Sequence, residues 1–144
     1  MSKPTREAVF AALFAKLAGI TALKTSSRTL KSIQDMNLEE LPAAFQTQGK
    51  QVLLFKGSTP TLNDWTASWI FYASSNDAVC ASTVLNDLVD AACSILSPPT
   101  GNNRQTLGGI VEYATIVGDI EIFEGLLGDK AIAIIPIKIV LGGF

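Results

Sequence analysis

The chain has 144 residues, a formal net charge of −2 and no histidine. The near-neutral balance excludes a strongly basic nucleic-acid binder, whose affinity comes from clustered lysine and arginine against phosphates. The lack of imidazole excludes acid–base catalysis and metal binding by histidine. Hydrophobic residues make up 48% of the sequence and charged residues 17%. We therefore expect apolar surface to remain after folding and to serve as an interface.

The length predicts one domain over residues 1–144, with room for a hydrophobic core. The N-terminus leads into an amphipathic pattern rather than a secretory signal, and the apolar run at 131–141 is too short to cross a bilayer. Cys80 and Cys93 fall in one helical pattern, which separates their Cα atoms by roughly 20 Å, beyond disulfide reach. Both are predicted to be small buried residues in a reducing compartment.

The first predicted element is a helix from Arg6 to Ala18. Thr5 is suited to cap it, because a threonine hydroxyl accepts a hydrogen bond from a free amide of the first turn. Its buried face is predicted from apolar residues at helical spacing, namely Phe10, Leu13, Phe14 and Leu17. A short strand is predicted next, at 25–30.

Two strands are predicted in the middle of the chain. Residues 44–48 and 51–56 form a strand interrupted at Gly49, which is either a hairpin or one long strand with a bulge. The clearest strand is 64–73, whose side chains alternate between two faces. One face carries Trp65, Ala67, Trp69, Phe71 and Ala73, and the other carries Thr66, Ser68, Ile70 and Tyr72.

A second helix is predicted to start near Ser75–Asp77 and to end at Leu96, before two prolines. A strand at 110–117 follows, and residues 119–123 can continue it past a bend at Gly118.

The last predicted strand is 131–141, with Pro136 in its middle. Proline cannot donate a ladder hydrogen bond, so this strand is predicted to lie at a sheet edge or to bulge there.

This order of elements predicts an α+β fold, with a single antiparallel or mixed sheet of about five strands and two helices on one face. Two helices cover only one face of such a sheet. The other face carries Ile70, Tyr72 and isoleucines of the last strand. We expect a neighbouring subunit to cover that face, with Ile70 and Tyr72 in the contact.

The best candidate for chemistry is a carboxylate group formed by Asp119, Glu121 and Glu124. On a strand, Asp119 and Glu121 would share a face, which suits a metal or an acid–base pair. Without a convergent partner, a solvated or interface-facing acidic strip is the preferred interpretation. Cys80 as a nucleophile would need a base, and histidine is absent. No cofactor motif is present.

Residues 100–109 are predicted to form a polar loop rich in glycine and asparagine. No lysine follows its glycines and no strand precedes them, which excludes a phosphate-binding loop. The segment is either an ordinary surface loop or a donor-rich segment that orders against a partner. Asn102, Asn103 and Arg104 are its candidate contact residues.

Six segments, in this order and spacing, resemble the phage tail-terminator or minor tail protein family, typified by the lambda minor tail protein U. They are TREAVFAALF at 5–14, SRTL at 27–30, LPAAFQ at 41–46, the stretch 88–96 leading into Pro98-Pro99, RQTLGG at 104–109 and GDKAIAIIP at 128–136. The likeness runs over nearly the whole chain.

The resemblance implies a non-enzymatic α+β subunit that forms a homo-oligomeric ring, typically of six copies. Such a ring sits on the head-proximal end of the tail tube, stops polymerisation of the tube protein and meets the neck or connector protein. DNA would pass through the lumen without specific binding. A virion protein of the tail, assembled in the host cytoplasm without cofactor or membrane contact, is therefore expected.

Two alternatives stay open at this stage. A head–tail connector or tail completion protein is also a ring of small α/β subunits, which the sequence separates poorly from a terminator. The remote alternative is a small metal- or ligand-binding enzyme that uses Asp119, Glu121 and Glu124.

Overall fold

A computed structural model describes residues 4–75 and 80–142, with the side chains of 125–127 left aside. Within these residues there are two helices, two 3-10 turns and one sheet of six strands. The helices are α1 (Arg6–Ala18) and α2 (Ala81–Ile95), and the 3-10 turns are Ile33–Asp35 and Leu38–Glu40. The strands are β1 (Thr25–Ser27), β2 (Ala43–Lys56), β3 (Thr59–Ser74), β4 (Tyr113–Ile116), β5 (Glu121–Leu127) and β6 (Lys130–Gly142).

The sheet is mixed, and its strand order is β1-β2-β3-β6-β4, with β5 also paired to β6. β1 runs parallel to β2, and the other pairs are antiparallel. Because β3 occupies one side of β6, β4 and β5 follow one another along its other side. The predicted α+β fold with a helix-covered sheet is confirmed.

Helix α1 has the predicted bounds and the predicted cap. The Thr5 hydroxyl accepts a hydrogen bond from the backbone N–H of Ala8 at 3.0 Å, which satisfies one of the free donors of the first turn. Helix α2 begins later than predicted, at Ala81, and the predicted start at Asn76 and Asp77 lies outside the described residues.

Both helices pack on the same face of the sheet and bury the main core. The indole N–H of Trp69 donates to the side-chain oxygen of Gln46 at 3.0 Å, and the amide of Gln46 donates to the carbonyl of Phe10 at 2.9 Å. These bonds satisfy the polar atoms of two buried side chains. The face predicted from strand alternation, from Trp65 to Ala73, is the core face.

β2 is one long strand with a bulge, since its register with β3 shifts between Gln48 and Gln51. Gly49 lies in this irregularity, where a Cβ atom would collide with the Thr66 side chain. The close approach of the Thr66 side chain to this backbone therefore favours glycine.

The second face of the sheet is covered at one end by the chain itself. Residues 33–41 lie over Ala43, Phe45 and Tyr72 and form a second small core. The ammonium group of Lys130 fixes this segment by donating to the carbonyls of Ile33 and Met36, at 3.2 and 3.3 Å. A neighbouring subunit is therefore not needed to bury this end of the face.

Pro136 lies in a central strand, and its predicted place at an edge or a bulge is wrong. The register of β3 with β6 runs unbroken through the pair Ser68 and Pro136. The carbonyl of Pro136 accepts a hydrogen bond from Val117 at 3.1 Å, on the side of β4 and β5. Since the amide nitrogen points to the same side as the carbonyl, the missing donor faces the break between β4 and β5.

Candidate functional site

The two residues predicted for a subunit contact on the second sheet face, Ile70 and Tyr72, both contact the small core formed by the chain itself. Tyr72 exposes 5% of its surface, and its hydroxyl donates to the carbonyl of Lys31 at 2.8 Å. Ile70 is half-buried and packs against the same small core. Tyr72 is thus an internal residue, and the expectation that this part of the face is uncovered is wrong, because residues 33–41 already cover it.

The rest of the second face carries both apolar and polar side chains. Three isoleucines of β6 point into the helix-covered core, namely Ile135, Ile137 and Ile139. The two remaining isoleucines of β6, Ile132 and Ile134, lie on the second face. The same face carries Pro136, Val140, Ser68 and the ion pair of Lys138 with Asp64 at 3.3 Å. Val140 is buried and the other side chains are half-buried, so this part of the face combines apolar side chains with an ion pair.

The polar segment 100–109 is anchored at its C-terminal half. The side chain of Gln105 is buried, donates to the carbonyl of Ser97 at 2.9 Å and accepts from the N–H of Leu107 at 3.2 Å. Leu107, Gly108 and Gly109 all have positive φ angles, and the Leu107 side chain is buried. This half is therefore a fixed part of the fold and does not fit the hypothesis of a segment that orders only against a partner.

Asn102, Asn103 and Arg104 are exposed in the other half of the segment. Arg104 lies 3.5 Å from the carboxylate of Glu112 and 5.7 Å from the ring centre of Tyr113. Asn103, Arg104 and Tyr113 border an open cleft of about 250 Å³ beside the end of α2. Surface ion pairs of this kind contribute little to stability, so the pair of Arg104 with Glu112 does little to fix the border of the cleft.

The predicted carboxylate group does not gather into a metal site in the described part of the chain. Asp119, Glu121 and Glu124 are all exposed, and Asp119 lies outside the strands, in the link between β4 and β5. Across the described ranges, no three His, Cys, Asp or Glu side chains are placed to hold a metal ion. The preferred interpretation as an exposed acidic strip agrees with this placement.

Both cysteines are free and exposed, so the prediction that they are buried is wrong. Cys80 is the N-cap residue of α2, and Cys93 lies one position beyond buried Ala92 on the helix. Hydrogen bonds from the hydroxyl of Thr83, and to a smaller extent from that of Ser82, stabilise the thiolate. They lower the pKa of Cys80 to about 7.

The most unusual surface of the described chain is the end of the β2–β3 hairpin, which we call the arm (residues 50–62). Within the described residues the last pair of β3 with β6 is Leu62 with Gly142, and residues 55–60 lie beyond that pair. Four consecutive apolar side chains of the arm are each between 42% and 56% exposed, namely Val52, Leu53, Leu54 and Phe55. Exposed apolar groups in such a run mark an interaction surface.

The opposite edge of the sheet carries the second apolar surface, which we call the β5 edge (residues 119–124). Ile122 and Phe123 are 44% and 38% exposed. Among the described strands β5 pairs only with β6, so its outer side is open. The edge of β4 is partly occupied, because the N–H of Ala114 donates to the carbonyl of Gln105 at 2.8 Å.

Sequence reasoning missed both apolar edges. The run Val52–Phe55 is typical of a buried strand when only its composition is considered. The run is exposed because it lies beyond the part of β2 that pairs with β1 and outside both cores, and both of these are tertiary properties. The sequence signal that could have found the arm is a run of four apolar residues without polar–apolar alternation, between Lys50 and Lys56.

No known protein family matches the sequence, and no curated protein matches it either. No helix in the described part of the chain has the length and apolar character that a membrane crossing requires.

Proposed function

We propose that this chain is a structural subunit that assembles with copies of itself into a ring and acts as a phage tail terminator. The observation that carries the proposal is the placement of exposed apolar side chains on two opposite edges of one sheet. A subunit with two different lateral contact surfaces binds its neighbours head to tail, and such contacts generate rings when the rotation closes.

The phage assignment depends on the resemblance of six segments to tail-terminator proteins. In the proposed role, the ring sits on the head-proximal end of the tail tube and ends polymerisation of the tube protein. It then offers its other side to the neck or connector protein, and DNA passes through the lumen. The subunit works in the virion tail, is assembled in the host cytoplasm and needs no enzymatic step.

A near-neutral subunit suits such a channel. Strong basic patches would hold DNA by its phosphates, whereas the net charge of this chain is −2. The two isolated arm lysines, Lys50 and Lys56, do not form such a patch.

The first experiment measures assembly. Native mass spectrometry and negative-stain electron microscopy of the purified chain should give a closed ring of one copy number, with six expected. A chain that remains a monomer at high micromolar concentration would contradict the ring proposal.

The second experiment tests the role. Purified rings are added to polymerising tail tube protein, and tube lengths are measured with and without them. A terminator caps tubes at one end and shortens their length distribution. A head–tail connector would instead leave tube growth unchanged and bind finished tails or heads, which would overturn the terminator assignment while keeping the ring.

A further inference from the structure

Exposed large apolar side chains concentrate on the arm and the β5 edge. Eight such side chains are exposed in the described part of the chain, and six of them lie on these two surfaces. They are Val52, Leu53, Leu54 and Phe55 on the arm, and Ile122 and Phe123 on the β5 edge. The other two, Leu30 and Leu38, lie between β1 and β2.

Both surfaces also have open backbone edges. β1 pairs with β2 only from Ala43 to Phe45, so among the described strands the outer side of β2 has no strand partner in the arm. β5 is likewise paired on one side only. An open strand edge with apolar side chains is suited to pairing with another strand.

The two surfaces carry opposite charges beside their apolar residues. Lys50 and Lys56 flank the apolar run of the arm, and Glu121 and Glu124 flank Ile122 and Phe123. All four charged side chains are exposed, and none of them makes an ion pair with another residue in the described ranges. The arm is thus basic and apolar, whereas the β5 edge is acidic and apolar.

We propose that the arm of one copy pairs with the β5 edge of the next copy and extends the sheet across the subunit boundary. This occupant follows from the charges: arm-to-arm pairing would place lysines against lysines, and pairing of two β5 edges would oppose glutamates, so both are disfavoured. The arm and the β5 edge lie on opposite edges of one sheet, so the contact is heterologous and repeats around a ring.

This inference rests on the self-assembly in the proposed function, and adds the contact that produces it. It also gives a role to Glu121 and Glu124, which do not gather into a metal site. They select the neighbour's arm by charge.

Charge reversal tests the contact. Variant K50E/K56E makes both surfaces acidic, and variant E121K/E124K makes both basic. Each variant alone should lose ring assembly, with the apparent association constant between copies falling at least tenfold. An equimolar mixture should regain rings, because the acidic arm of the first variant now fits the basic β5 edge of the second, and the reverse pair also fits.

Matched controls change the same charge elsewhere. K16E/K24E lies on and after α1, and D87K/D90K lies on the exposed side of α2. Both controls should assemble as the unaltered chain does. Far-UV circular dichroism checks that each variant is folded, and all assemblies are measured by native mass spectrometry at low salt.

Cross-linking gives a second readout that does not depend on charge. In a chain with C80S and C93S, L53C and I122C are introduced separately, and the two proteins are mixed with a short thiol cross-linker. The mixture should yield dimers that contain one of each variant, and neither variant alone should.

Each outcome separates the two proposals. If the unaltered chain is a monomer, the ring function and the contact both fail. If it forms rings but K50E/K56E or E121K/E124K alone forms them equally well, or the mixture does not, only the edge contact is overturned. Loss of assembly in K50E/K56E with normal assembly in E121K/E124K would also overturn the edge contact, because the arm would then not depend on the charges of the β5 edge.

Discussion

Gln46 connects three elements through one buried side chain. It reaches from β2 to the carbonyl of Phe10 in α1 and to the indole N–H of Trp69 in β3. A buried polar group is stabilising only while its partners are present, since an unpaired donor keeps its desolvation penalty. The side chain therefore fixes how α1 sits on the sheet.

We expect Gln46→Leu to lower the free energy of unfolding by about 1–3 kcal/mol, because the Trp69 N–H is left buried without an acceptor. Urea unfolding measures this change. In a Trp69→Phe background the same substitution should be less destabilising, since the donor is already gone. Equal effects in both backgrounds would contradict the coupling.

Cys80 allows a prediction on pH. Its pKa is about 7 because hydroxyls of Thr83 and Ser82 stabilise the thiolate, so alkylation in a C93S chain should rise steeply around neutral pH, where the reactive thiolate forms. Thr83→Val removes the main donor and should move the midpoint to higher pH. A midpoint near the ordinary value of 9.0 in the unaltered site would refute this account.

At the scale of elements, the β2–β3 hairpin divides into a structural half and an exposed half. Phe45 is 2% exposed in the structural half, while Phe55 is 56% exposed in the arm. The same residue type on one strand therefore serves two purposes, packing in the first case and contact in the second.

We expect Phe55→Ser to change the unfolding free energy by only about 0.5 kcal/mol, as for exposed substitutions generally. Phe45→Ser, the matched control, should lower it by about 3–5 kcal/mol through lost burial and a cavity. Thermal or urea unfolding of the two variants checks the contrast. A large loss of stability in Phe55→Ser would mean that the arm packs on its own subunit.

The elements that the sequence predicted well are those with strong local signals. The helix from Arg6 to Ala18 has a cap and an apolar stripe, and the strand 64–73 has clear alternation, so both were predicted with the correct buried face. Local patterns do not report what lies over a residue. That is why Tyr72, Cys80 and Cys93 were placed wrongly, although Tyr72 was assigned to the correct side of its strand.

For the candidate site, the sequence supplied the residues but not their grouping. Exposed Glu121 and Glu124 were recognised as an acidic strip, whereas the arm opposite them was not recognised as a surface. The sheet order β2-β3-β6-β5 places these two strands on opposite edges, and long-range strand pairing leaves no short-range pattern in the chain.

The whole molecule presents a basic apolar edge and an acidic apolar edge joined by one rigid sheet. Opposite charges at the rim of a contact accelerate encounter, and apolar burial holds the contact once it is made. Salt screens the first effect over a Debye length of roughly 10 Å at 0.1 M and hardly changes the second.

We therefore expect the association rate of subunits to fall as ionic strength rises from 0.05 to about 0.5 M, while closed rings persist once formed. Light scattering after dilution of urea-dissociated subunits into buffers of each ionic strength measures the rate, and native mass spectrometry measures the rings. Rings that dissociate in high salt would show that ion pairs, rather than apolar burial, hold the subunits together.

The break between β4 and β5, opposite Pro136, disfavours aggregation along this side of the sheet. The outer side of β6 is divided between two short strands, and the Gln105 carbonyl already occupies an outward amide of the first of them. A misfolded or foreign chain therefore finds no long continuous template on this side, and fibril growth needs such a template.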